Sequence, residues 1–398
     1  MTLEGAPRSC PICDSVNRRL VFRQTFAVVD HGTPVTGYDV VVCGRCGCSY
    51  ADGIPEQATL DNYYREMSKY EYAQRGGAES DFDSKRLALI AAVIAPLLPS
   101  RDVRILDIGC ASGRLLANLR DMGFPNVEGL DPSPACARSA ADLYSIKVRS
   151  LTLDEMAGSG ELFDVVTMVG VLEHLRDMKE AFENLNALIS PGGLLYVEVP
   201  DVTGFVDWPN APYQDFSTEH INFFGPVSLQ NLMTRRGFSP VFLERNHRQQ
   251  SHRTVMSNIS GMFRRDSEWQ SEIVFDADSA AGLDRYLACC AEAEDRLLAR
   301  IAAIVDAGRP IIVWGVGTHT SRLMTTSRLN DAHIVAFIES NSRYQGRTLL
   351  GRPILPPQAL KERAEPVLIS SRVFQQEIVD QIQKELGCSN ELILLYDV

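Results

Sequence analysis

Residues 104–113 read RILDIGCASG, a short apolar run closed by an acid and followed by small residues. Ile105 and Leu106 have strand character, Asp107 ends the run, and Gly109, Ala111 and Gly113 allow a sharp turn into an amphipathic segment starting at Arg114. A strand, a small-residue turn and a helix in that order expose the free N–H groups of the helix start. Without bulky side chains at the turn, the backbone can approach a bound nucleotide closely. The turn is suited to holding a cofactor.

A glycine-rich turn also serves dinucleotides, so its neighbours have to narrow the choice. The strand 127–130 ends at Asp131, placed to accept hydrogen bonds from ribose hydroxyls, and Pro132-Ser133-Pro134 opens the next helix. FDVVTMVGVLEHL, residues 163–175, gives a fourth strand ending at Val169 and then Glu173-His174. LISPGGLLYVEVP, residues 188–200, is a tight turn into a late strand. Together these residues resemble the class I S-adenosylmethionine-dependent methyltransferases, roughly over residues 86–240. The resemblance implies a doubly wound α/β sheet with the cofactor against Asp107, Gly109, Cys110, Gly113, Asp131, Pro132, Leu151, Val169 and His174. Asp154, in the segment 151–156, is a further candidate for the adenine amine.

The composition fits a chain with two or three cores: 398 residues, 45% hydrophobic and 23% charged. No run of 18 apolar residues and no secretory segment near Met1 is present, so a cytoplasmic location without membrane association is expected. The net charge of −12 argues against a protein that coats nucleic acid, and no nucleic-acid partner is expected.

Four of the ten cysteines form two CxxC pairs, Cys10-Pro-Ile-Cys13 and Cys43-Gly-Arg-Cys46. Each pair can turn two sulfurs toward one metal, and four thiolates suit a tetrahedral Zn2+ with no open position, hence a structural site. Cys48 lies close enough to replace one ligand.

Tyr63, Tyr64, Tyr70 and Tyr72 mark a lead-in at residues 60–74, either closing over the cofactor or packing on the sheet. Farther on, residues 215–232 read DFSTEHINFFGPVSLQNL. Phe216, Phe223 and Phe224 can desolvate His220, and the adjoining Glu219 can tune its charge and orientation, as a general base requires. At this point the resemblance narrows to the sugar C-methyltransferases that act on nucleotide-linked deoxysugars. It implies a zinc-binding start, a methyltransferase core, a Tyr-x-Glu-His motif with a histidine base, and a second Rossmann-like domain that helps bind the substrate. Glu219 and His220 match that motif, Ser217 stands at the tyrosine position, and the glycine-rich segment expected next has no counterpart in residues 247–255.

Residues 278–306 have the apolar spacing of one long amphipathic helix. The last hundred residues restart a strand-turn-helix pattern at IIVWGVGT, residues 311–318, with a second strand ending at Glu339. SNSRYQGRTLLGRPI, residues 340–354, looks like the Asn-Pro-x-Lys-Gln-Gly-Arg region of the same family, with Ser342 and Tyr344 in place of Pro and Lys. The expected organisation is a zinc-binding domain at 1–55, a methyltransferase domain with a helical lead-in at 56–240, a helical connector at 241–306 and a C-terminal Rossmann-like substrate-binding domain at 307–398. The expected activity is methyl transfer to a small metabolite, with a nucleotide-linked sugar as the first choice of acceptor. The competing readings are an NAD-dependent oxidoreductase using Gly315-x-Gly317, and a non-catalytic, zinc-dependent interaction module.

Overall fold

The computed structural model describes residues 5, 7–30, 35–67, 76–208, 210–252, 254–266 and 272–397. Tyr70 and Tyr72 of the lead-in lie outside the described residues. β1 (Arg18–Thr25), β2 (Gly37–Cys43) and β3 (Ser49–Asp52) pair antiparallel. The helices α1 (Gln57–Met67) and α2 (Asp81–Ile94) follow.

The central unit alternates strands and helices: β4 (Ile105–Ile108), α3 (Arg114–Asp121), β5 (Val127–Leu130), α4 (Pro134–Tyr144), β6 (Val148–Arg149), α5 (Leu153–Ala157), β7 (Phe163–Val169), α6 (Met178–Leu188) and β8 (Ile189–Pro200). All four residues of β4 are buried, as a strand covered on both faces requires. Helix starts follow local chemistry: the Ser133 hydroxyl accepts the Cys136 amide ahead of Pro134, and Asp177 accepts the Glu180 amide.

The chain continues through β9 (Asn222–Phe223), α7 (Pro226–Arg235), β10 (Phe238–Gln249) and β11 (Val255–Arg265). The seven-stranded central sheet has the order β10-β11-β8-β7-β4-β5-β6. Only β11 runs against its neighbours, β8 and β10. From β4 the chain builds outward through β5 and β6, then returns to the other side of β4 for β7. The loops after β4 and β7 therefore diverge and open a crevice at the strands' carboxyl ends.

Two expectations are corrected. Residues 241–265 are not part of a helical connector: β10 and β11 form a long antiparallel hairpin that completes the central sheet, because Ile259, Met262 and Phe263 find a buried face there. Among the described residues of that stretch the connecting helix is α8 (Ala277–Asp306). The N-terminal sheet is also not closed within residues 1–55. Its order is β1-β2-β3-β9, with Ser49 opposite Phe223 and Tyr50 opposite Asn222, so it takes its edge strand from the segment just after His220.

The third unit comprises β12 (Ile311–Trp314), α9 (Thr318–Thr326), β13 (Ile334–Ile338), β14 (Thr348–Leu349), β15 (Arg352–Leu355), β16 (Val367–Ile369), α10 (Gln375–Asp380) and β17 (Leu392–Leu394). Its order, β14-β15-β13-β12-β16-β17, again diverges after β12. No helix among the described residues is long and apolar enough to cross a membrane.

Candidate functional site

The turn after β4 is left-handed at three alternate residues, Gly109 (φ +70°), Ala111 (φ +47°) and Gly113 (φ +78°). A Cβ on Gly109 would lie 2.6 Å from Val171, on the loop across the crevice. The Gly109 and Cys110 amides both donate to the Leu130 carbonyl, at 2.7 and 3.2 Å, which ties the turn to the end of β5. Asp131 follows directly; its two carboxylate oxygens accept the amides of Ala111 (3.0 Å) and Ser133 (2.9 Å). The acid expected at the ribose is thus held by the turn expected at the cofactor.

Asp107 is 4% exposed and accepts the Thr167 hydroxyl at 2.5 Å. Burial pushes its carboxyl up to about 7, with the Thr167 bond opposing and the Asp131 charge adding to the rise. Cys110 is buried, Pro132 and Val169 are partly buried, and Leu151 packs against the central core. Asp154, by contrast, is exposed and accepts the Thr152 hydroxyl beside a capping box. Sequence reasoning overlooked Glu79, which accepts the hydroxyls of Ser112 (3.0 Å) and Tyr144 (2.9 Å) and so lies against the glycine turn. Its only signal is an acid after Gly76-Gly77.

Across the crevice, the loop after β7 presents Glu173 and His174, both buried. The His174 Nδ1 lies 3.0 Å from the Glu219 carbonyl oxygen and 2.9 Å from the Tyr64 hydroxyl. A carbonyl only accepts, so it is Nδ1 that donates here, with Nε2 on the other side of the ring. Neither that Nε2 nor the Glu173 Oε2 has a hydrogen-bond partner among the described residues. Burial pushes the Glu173 carboxyl up. The His174 and His220 rings meet edge to face, centroids 4.9 Å apart. One ligand atom each from Glu173, His174 and His220 falls within 4.8 Å of the others, a donor set that can also hold a divalent cation.

Glu219 and His220 are brought to this cluster by a short loop. The Ser217 hydroxyl accepts both their amides, at 3.3 and 3.0 Å, so the residue at the tyrosine position shapes the backbone. Phenol groups come instead from α1: Tyr63 donates to Glu219 Oε1 at 3.0 Å, and Tyr64 reaches His174. Two of the lead-in tyrosines therefore line the site. The third unit borders the same loop, with the Thr318 hydroxyl 3.4 Å from that of Thr218. There, the two Glu339 oxygens accept the amides of Val316 (3.1 Å) and Asn341 (2.9 Å).

The Sγ atoms of Cys10, Cys13, Cys43 and Cys46 all lie within 4.8 Å of one another and are buried; Cys10–Cys46 is 3.5 Å and Cys13–Cys43 is 3.4 Å. Tetrahedral ligation with bonds of about 2.3 Å places sulfurs about 3.8 Å apart, so the cluster fits one zinc ion. Cys48 stands outside it, its Sγ directed at the Ser49 carbonyl.

Residues 82–242 match the family described as Methyltransferase domain, and residues 308–394 the family described as C2185-like, N-terminal. The ubiquinone biosynthesis O-methyltransferase of Rhizobium leguminosarum bv. trifolii is 36% identical over 104 residues, covering 25% of this chain and 41% of that protein. Its counterpart from Azorhizobium caulinodans is 39% identical over 106 residues, covering 25% and 42%. The chain thus spans about two fifths of the length of these curated relatives. Among solved structures, the N-methyltransferase NodS from Bradyrhizobium japonicum WM9 in complex with S-adenosyl-L-homocysteine aligns at 17% identity and TM-score 0.37, over 53% of this chain and 98% of that one. A methyltransferase from Anabaena variabilis aligns at 15% and 0.41, over 52% and 94%. The central unit, over the matched residues 82–242, is a class I S-adenosylmethionine-dependent methyltransferase domain.

Proposed function

We propose that the chain transfers a methyl group from S-adenosylmethionine to a small acceptor whose proton is taken by His220. The supporting observation is the meeting, over one crevice, of the Asp107–Asp131 turn with the two Glu-His pairs. Bound there, S-adenosylmethionine supplies an electrophilic methyl on a cationic sulfur. Asp131 holds the ribose, the glycine turn admits the rest, and the walls align acceptor and methyl, the largest source of acceleration in such a transfer. His220, beside Glu219 and the α1 phenols, receives the proton that leaves the acceptor.

The acceptor is a nucleotide-linked sugar with an acidic C–H beside a carbonyl. Support comes from the third unit, whose Thr318 borders the loop carrying His220, and from the Glu219-His220 pair. A second reading, O-methylation of a hydroxylated aromatic, is favoured by the names of the curated relatives. Zinc in the four-cysteine site is structural. Incubating the protein with S-adenosylmethionine and either nucleotide-linked keto sugars or dihydroxybenzoates, and measuring S-adenosylhomocysteine, tests both. Turnover with the sugars supports the first, turnover with the phenols only supports the second, and none with either class contradicts both.

A further inference from the structure

Arg8 lies two residues before the first cysteine of the four-sulfur cluster, yet its guanidinium is buried beneath the Glu-His loops. Its Nε donates to the Ala51 carbonyl at 2.8 Å and Nη1 to the Arg176 carbonyl at 3.0 Å. Nη2 donates to the Ile221 carbonyl at 2.6 Å and to Asn222 Oδ1 at 2.8 Å. One fork thus spans three backbones: β3, the loop after Glu173-His174, and the strand after Glu219-His220. Asn222 extends the link, its Nδ2 donating to the carbonyls of Leu172 (2.9 Å) and Leu175 (2.8 Å), which flank Glu173 and His174. The Ile221 amide donates to the Glu173 carbonyl at 2.8 Å.

We propose that Arg8 and Asn222 are positioning residues that fix the two Glu-His pairs against each other, which makes the cysteine-bearing N-terminal segment part of the active site. The inference rests on the role proposed above for His220. A guanidinium is a cation, and a buried cation is tolerated only where acceptors surround it. Here four acceptors do so, and three of them belong to the two loops that carry the pairs. A flexible, hydrated ammonium cannot reproduce a planar fork with fixed donor directions, so lysine is not a conservative replacement. The link also sets the distance from His174 Nδ1 to the Glu219 carbonyl, and with it which nitrogen of His174 is protonated.

The test is Asn222→Ala and Arg8→Lys in full-length protein with 15N-labelled histidine rings, the His174 signals being assigned by their loss in His174→Gln. Wild type is expected to show His174 as the Nδ1–H tautomer. Each variant is expected to lose that signature, to bind S-adenosylmethionine within about twofold of wild type, and to slow methyl transfer more than tenfold at unchanged KM for the cofactor. In a His220→Gln background the extra loss should shrink to less than twofold, because a positioning effect needs the residue it positions. If Arg8→Lys does not fold, Asn222→Ala, which leaves the guanidinium's three backbone bonds in place, decides alone. An unchanged His174 signature in a folded variant, or an equal fold-loss in both backgrounds, overturns the proposal. Normal turnover of His220→Gln by itself defeats the base reading instead, and the tautomer then decides the clamp.

Discussion

The Glu219 carbonyl sits 3.0 Å from the Nδ1 of His174, although the two residues are 45 positions apart. Through that bond one Glu-His pair sets the protonated nitrogen of the other, and His220, next in sequence to the acceptor of the bond, faces the same ring at 4.9 Å. The His220 ring is thus held inside a fixed frame.

If His220 takes the acceptor proton, His220→Gln keeps the affinity for S-adenosylmethionine within about twofold while turnover falls roughly a hundredfold or more. Glu219→Gln lowers it less, since Glu219 acts through its neighbours. Melting curves and turnover from the same preparations separate this from a packing defect, in which activity follows only the folded fraction.

The cysteine cluster leads to an expectation about metal content. Elemental analysis should find about one zinc per chain, and Cys43→Ser should destabilise β1 to β3, because three thiolates leave the ion incompletely ligated. Metal-free protein of full stability would contradict this. A second metal equivalent, lost on Glu173→Gln, would make His220 a ligand instead of a base.

If Asp107 faces the cofactor, its raised pKa should make cofactor affinity depend on pH. An unfolded aspartate loses its proton near 3.9, whereas the folded one keeps it to about 7. Between those values the unfolded state binds fewer protons, so this group's contribution to stability falls as pH rises from about 4 to about 7 and is level above. A cationic ligand favours the ionised carboxylate. Affinity for S-adenosylmethionine should therefore rise with pH, by up to about tenfold per unit below pH 7, and flatten above it. Calorimetry at pH 6, 7 and 8 reads this, and Asp107→Asn should remove the slope. A flat profile in the unaltered protein would detach Asp107 from the cofactor.

Much of this was legible in local sequence. The β4 turn and the strand ending at Asp131 depend on residues within reach of one another along the chain, and they form where the pattern places them. Each CxxC pair is likewise a local turn, and the shared preference of four thiols for one metal is what made their meeting legible across thirty residues. What stayed hidden depends on pairing across long separations. Residues 241–265 alternate too weakly to reveal that they insert beside β8, and nothing near Asn222 announces its pairing with Tyr50. Tyr63 and Tyr64 read more readily as packing on the sheet, and the structure puts their hydroxyls on Glu219 and His174. Arg8 gave no signal, since a lone arginine ahead of a cysteine knuckle is ordinarily a surface charge.

A cofactor site for S-adenosylmethionine between the β4 turn and Asp131 is open to calorimetric titration of the unaltered protein and Asp131→Ala with S-adenosylmethionine, S-adenosylhomocysteine and NAD. The account predicts one site per chain for the first two ligands and no heat from NAD. It also predicts that Asp131→Ala binds S-adenosylmethionine about 1–3 kcal/mol more weakly, the scale of hydrogen bonds lost to an ionised acceptor. Saturable binding of NAD with none of S-adenosylmethionine, or equal affinity in a folded Asp131→Ala, would contradict it.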